Sequence, residues 1–201
     1  MKQFACLRIL IKGGSVIEYK VRTHPIFAAC GLNCGLCPRF YTAGTSRCPG
    51  CAGEGFSEVH PPCGVLTCCG LKGLEFCFFC DEYPCKKYDG CDLLDSFITH
   101  KNQLKDMDKA KRIGVEAYIA ELSDKVEILE ELLKNYDDGR RKSFFCLAVN
   151  LLDLADVKLI IKQINNEVLP QASIKEKAAA AVRLFQGMAD ERGIVLKLRK
   201  E

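Results

Sequence analysis

Cys30-Gly31-Leu32-Asn33-Cys34-Gly35-Leu36-Cys37-Pro38 opens a stretch that holds twelve of the chain's fourteen cysteines, between Cys30 and Cys91. The pattern continues with Cys48-Pro49-Gly50-Cys51, then Cys63-x4-Cys68, then Cys77-x2-Cys80-x4-Cys85. A C-x-x-C places two thiolates on one tight turn, close enough to share a metal ion, and neighbouring Gly and Pro permit the bend. Two such knuckles supply four tetrahedral ligands at about 2.3 Å from zinc. Three knuckles (34/37, 48/51, 77/80) together with Cys30, Cys63, Cys68 and Cys85 make ten candidate ligands. Ten exceed one site and suit two four-ligand sites, hence about two zinc ions. Spacing alone leaves open which knuckles pair. Cys6, Cys69, Cys91 and Cys146 fall outside the pattern and read as ordinary buried thiols, although the adjacency of Cys68 and Cys69 leaves open which of the two is the ligand.

Outward from this stretch the chain divides into three. Residues 1–25 carry two β-prone runs, Phe4 to Ile11 and Val16 to Val21, around Gly13-Gly14, which predicts a hairpin. Residues 26–90 form the cysteine-rich module, rich in Gly and Pro and poor in periodicity. Such a segment buries too little apolar surface to order itself, and metal ligation can supply about 10–16 kcal/mol. Residues 91–201 are helical in pattern. Leu93, Leu94, Phe97, Ile98 and Leu104 follow i, i+3/i+4 spacing, as do Val115, Tyr118, Ile119 and Leu122. Ser123 reads as the N-cap of a further helix through Tyr136, Asp153 as the cap of another, and Ser173 as that of a long Ala-rich helix stopping at Gly193. Ile194 to Leu198 reads as a short closing strand that joins the N-terminal hairpin. The expected class is therefore α+β: a metal module on an α-helical domain, with a minor β element from the chain ends.

Length and composition bound the rest. At 201 residues, 48% hydrophobic and 27% charged, the chain can bury a real core. No run approaches a membrane span or a secretory signal, so a cytoplasmic protein without membrane contact is expected. A cytosolic setting favours metal over disulfides as the use of so many cysteines. The formal charge of +3 assumes neutral thiols. Eight thiolates on two zinc ions would bring it to about −1, which gives no case for nucleic acid.

Iron–sulfur clusters also use four thiolates and stand as the alternative cofactor. Cys30-x3-Cys34-x2-Cys37 has the spacing by which radical S-adenosylmethionine enzymes hold an open-cornered cluster. Those enzymes need a βα barrel running on from the motif, whereas here seven more patterned cysteines and then helices follow.

The signatures resemble those of domain-of-unknown-function family 3795, a prokaryotic cysteine-rich group. Cys30 to Pro38 is similar to its opening element, Cys48-Pro49-Gly50-Cys51 to its second knuckle, and Cys63 to Cys68 to its C-x4-C element. Lys72 to Cys85 is similar to its closing element. The likeness covers Cys30 to Tyr88, and more loosely Gly114 to Tyr118. It implies a zinc-binding module with no established activity. Leu66 departs from it, standing where a basic residue is expected.

No phosphate-binding loop, dinucleotide fingerprint or Ser/His/Asp signature occurs. All-thiolate sites are usually closed and structural. The sequence therefore reads as a zinc-binding protein of unknown biological role, non-enzymatic, whose metal organises a surface for a partner, with protein favoured over nucleic acid. An iron–sulfur or thiol redox protein, with enzyme activity open, is the alternative.

Overall fold

The computed structural model describes residues 19–200. The expected N-terminal hairpin lies for the most part outside them. Seven α-helices follow in order: α1 (Phe56–Val59), α2 (Gly64–Leu71), α3 (Gln103–Ile113), α4 (Val115–Asn135), α5 (Lys142–Leu151), α6 (Leu154–Glu167) and α7 (Ile174–Glu191). Five short 3-10 turns punctuate the chain between Cys34 and Tyr88. The described residues contain no strand, so the expected α+β class is corrected to all-helical.

The closing strand is the clearest miss. Residues 194–198 form no ladder: Lys197 N bonds back to the Val195 carbonyl, and a side chain takes up the remaining carbonyl capacity. Lys101 Nζ donates to the Val195 and Lys197 carbonyls at 2.8 and 3.0 Å. Arg199 N donates to Asp95 Oδ2 at 2.8 Å and Asp95 N donates to the Arg199 carbonyl at 3.0 Å. The terminal segment is thus a strap tied to the 92–101 loop. The same loop explains a second correction, because helix was expected from Leu93. Asp95 Oδ1 accepts from His100 N at 2.7 Å, and side-chain bonds of this kind compete with helix. The helix begins only at Gln103, leaving Leu93 and Phe97 exposed.

The Asp95 side chain is fully enclosed. Burial alone would raise its pKa. The Arg199 guanidinium and the N–H groups of His100 and Arg199 outweigh burial and hold it at about 2, against an ordinary 3.8. A lowered folded-state pKa stabilises above the unfolded value, and that stability is lost as pH falls through the folded one. The strap is therefore expected to loosen between about pH 4 and pH 2. Amide exchange at Arg199, followed by NMR, reads this directly, and Asp95→Asn should remove the pH dependence.

Helix patterning elsewhere translated well, with one merger. Ser123 does not start a helix: α4 runs unbroken through it, burying Tyr118, Leu122, Leu129 and Leu132 on one face. Ser173 caps α7 in a reciprocal box, Glu176 N donating to its Oγ and Ser173 N donating to Glu176 Oε2 at 2.8 Å. Asp153 stands at the N-cap of α6 but makes no side-chain capping bond. Helices α4 to α7 pack on one another around Leu129, Phe145, Ile160 and Phe185, all fully buried.

One apolar core runs from this bundle into the cysteine-rich segment. Phe27, fully buried, touches Phe76 at 5.2 Å and Tyr118 of α4 at 4.6 Å between ring centroids. Burying such a ring contributes about 1.5–3 kcal/mol. The first cysteine turn, Cys34–Leu36, lies against α4 and α5. No helix among the described residues is long and apolar enough to cross a membrane.

Candidate metal centre

Residues 22–29 form the spine on which the cysteine segments assemble. Cys51 N donates to the Pro25 carbonyl (2.8 Å), Gly35 N to Ile26 (2.9 Å) and Cys77 N to Ala29 (2.9 Å). Three turns distant in sequence are thereby fixed to one short segment. Gly50 permits the approach to Pro25. It has φ +89°, and a Cβ there would stand 2.4 Å from the Pro25 carbonyl oxygen.

Six of the ten expected ligands, Cys30, Cys34, Cys37, Cys48, Cys51 and Cys63, share one neighbourhood. Burial first, and then the charge of Cys51, pushes the Cys30 thiol up to about 12. Cys34 is raised well above its ordinary value by burial and by Cys51, Cys30, Cys37 and Cys48. Several sulfurs also meet donors. The N–H groups of Arg39 and Phe40 face Cys37, that of Leu32 faces Cys30, and that of Ala29 faces Cys51. Hydrogen bonding of this kind favours the thiolate.

The remaining four, Cys68, Cys77, Cys80 and Cys85, gather around a separate cavity of about 40 Å³. Cys69 lines it too and contacts Cys77, with its thiol raised to about 12 by burial and then by Cys77. Cys69 is the buried thiol that was expected, and adjacency on α2 brings both Cys68 and Cys69 to the cavity. Cys91 and Cys146 stay apart from this cavity, although Cys146 lies within charge range of Cys37.

All thirteen described cysteines are free thiols. Sulfur-only donor sets suit zinc or iron rather than magnesium or calcium, so the chemistry fits. The placement is less closed than the spacing suggests. Among the described residues, no three His, Cys, Asp or Glu side chains are set so that they could together hold a metal ion. The cysteines are gathered into two groups without closing a tetrahedron.

Residues 26–90 match the family model of a protein of unknown function, DUF3795. The resemblance read from the cysteine signatures is thus upheld over the segment that carries them. No curated protein and no solved structure matches the chain. Within the DUF3795 segment, Leu66 is buried on α2, which accounts for an apolar residue where a basic one was expected.

Several residues around the DUF3795 cysteines carry no sequence signal. Arg22 precedes the segment, yet its buried guanidinium faces the Cys51 sulfur and lowers that thiol's pKa against the burial that raises it. Arg22 also donates to the Phe27 and Glu75 carbonyls at 2.7 and 3.0 Å and pairs with Glu75. Tyr88 sits between the two thiol groups, its hydroxyl donating to the Cys30 carbonyl at 3.4 Å and facing Cys77. Lys72 Nζ stands 3.1 Å from Cys80 Sγ and 3.0 Å from Glu82 Oε2, a cation beside the second group.

Asn33, inside the opening signature, points away from the sulfurs. Its Nδ2 donates to Asp106 Oδ2 of α3 at 2.8 Å and to Asn150 Oδ1 of α5 at 3.0 Å. Its Oδ1 accepts from Tyr118 of α4 at 2.9 Å. Gly31, with φ +90°, packs so tightly on α3 that a Cβ would stand 2.2 Å from Met107 Cγ and 2.8 Å from the Gln103 carbonyl oxygen. Two positions between the first cysteines therefore serve docking.

Proposed function

We propose that this chain is a metal-binding protein in which Cys30, Cys34, Cys37, Cys48, Cys51 and Cys63 supply one thiolate site and Cys68, Cys77, Cys80 and Cys85 a second, with zinc the metal. The supporting observation is the gathering of the cysteines into two neighbourhoods, with three of the cysteine turns held by backbone hydrogen bonds to residues 22–29. A buried thiol held near 12 stays protonated at neutral pH unless a cation takes the proton's place, so burial and metal affinity are coupled. The role is structural. The metal ties Cys-rich turns that lack regular hydrogen bonding into a surface beside the helical bundle, and Phe79, 54% exposed within the last knuckle, belongs to that surface. A protein partner suits an apolar feature of this kind better than nucleic acid does.

A second reading is an iron–sulfur cluster in the six-cysteine group, where six thiols share one neighbourhood and four thiolates hold such a cluster as they do zinc. Elemental analysis and an absorption spectrum of anaerobically purified protein decide between them. About two zinc per chain without visible absorption is the expected result. Bound iron with a brown chromophore would overturn zinc, and a metal-free protein would overturn both.

A further inference from the structure

We propose that the cavity between α5, the 96–99 loop and the C-terminal strap binds a medium-chain carboxylate. The cavity is about 380 Å³, within the range of small-molecule sites, and at interior packing density it takes roughly 10–15 non-hydrogen atoms. Phe97, Ile98, Leu147 and Leu198 give it apolar walls. Its polar side chains are biased toward donors. Asn150 lines it and is 3% exposed; its Oδ1 is taken by Asn33, while its Nδ2 meets no acceptor among the described residues. Ser143, an exposed residue, also lines it.

Charge points the same way. Lys200 is the charged lining residue, and the described lining includes no Asp or Glu. Arg39 lies just outside, its guanidinium 5.0 Å from the centre of the Phe97 ring. An apolar cavity with the Asn150 amide donor and a cationic rim complements an anionic head on a hydrocarbon tail. A neutral alkane would leave the Asn150 amide unsatisfied, and an amine would meet like charge. Binding makes and breaks no covalent bond.

The full chain titrated calorimetrically with octanoate is expected to bind one equivalent, while octylamine does not bind. The Asn150 side-chain amide resonance should shift on addition of octanoate, which locates the ligand without any variant. Leu147→Trp, which fills the cavity, should abolish binding, and Lys200→Glu should weaken it severalfold. Absence of octanoate binding, equal binding of octylamine, or an unmoved Asn150 resonance would each overturn the proposal. None of these outcomes depends on whether zinc or iron occupies the thiol groups.

Discussion

Asn33→Leu is expected to destabilise the protein by about 3–5 kcal/mol, because three buried side chains each lose a hydrogen bond and leaving a buried polar group unsatisfied costs about 1–3 kcal/mol. The substitution is close in volume and leaves every cysteine in place. What it removes is the common partner of three helices. Asp106 loses one of its two side-chain donors, Tyr118 one of its two partners, and Asn150 the proton that its oxygen takes. The Asp106 carboxyl is already pushed up to about 6, chiefly by burial, with Lys125 and Asn33 partly offsetting that rise. Without Asn33 it should rise further. Urea unfolding measures the loss, and metal content should be unchanged in whatever fraction remains folded. A change below about 1 kcal/mol would mean that water replaces the amide and that the network does not fasten the module.

Removal of metal is expected to have the largest effect of all. A structural zinc contributes about 10–16 kcal/mol in small modules, and between residues 30 and 90 the regular structure is limited to α1, α2 and short 3-10 turns. Dialysis against a strong chelator under reducing conditions should abolish amide protection from Cys30 to Cys85. Helices α6 and α7, which pack on each other and meet the cysteine turns only indirectly, should keep theirs. Hydrogen exchange read by mass spectrometry separates the two regions in one experiment. Uniform protection after complete metal loss would show that burial of Phe27, Phe76 and Phe78 suffices to hold the turns, and the structural role would fall.

The helices from Val115 onward were legible because each buries one face at 3.6-residue spacing, and their ends carry local chemistry such as the Ser173–Glu176 box. The loop at Leu93–Ile98 defeated the same rule. Its apolar spacing is helical, but Asp95 spends its carboxylate on Arg199, more than a hundred residues away, and no local pattern encodes that. Strand propensity at Ile194–Leu198 failed for the matching reason: its carbonyls found a lysine side chain instead of a neighbouring strand. At the thiol groups, spacing identified the candidates and left their grouping open. The division fell between Cys63 and Cys68 because α2 carries Cys68 and Cys69 to the far side, while Cys63 stays at its N-cap with the first group. Arg22 and Tyr88 were invisible, being ordinary residue types made special by burial beside sulfur.

The docking geometry of Gly31 and Asn33 has a consequence for transplantation. The recognisable stretch, residues 26–90, is one half of a lock. Its other half is written in single positions, Asp106 and Met107 on α3, Tyr118 on α4 and Asn150 on α5, that form no motif and sit up to 44 residues apart. Grafting the cysteine stretch onto another helical host would carry the sulfurs and leave behind the hydrogen-bond partners and the methionine groove that seat them. A successful graft has to move those four positions as well, in register, with the three helices that bear them.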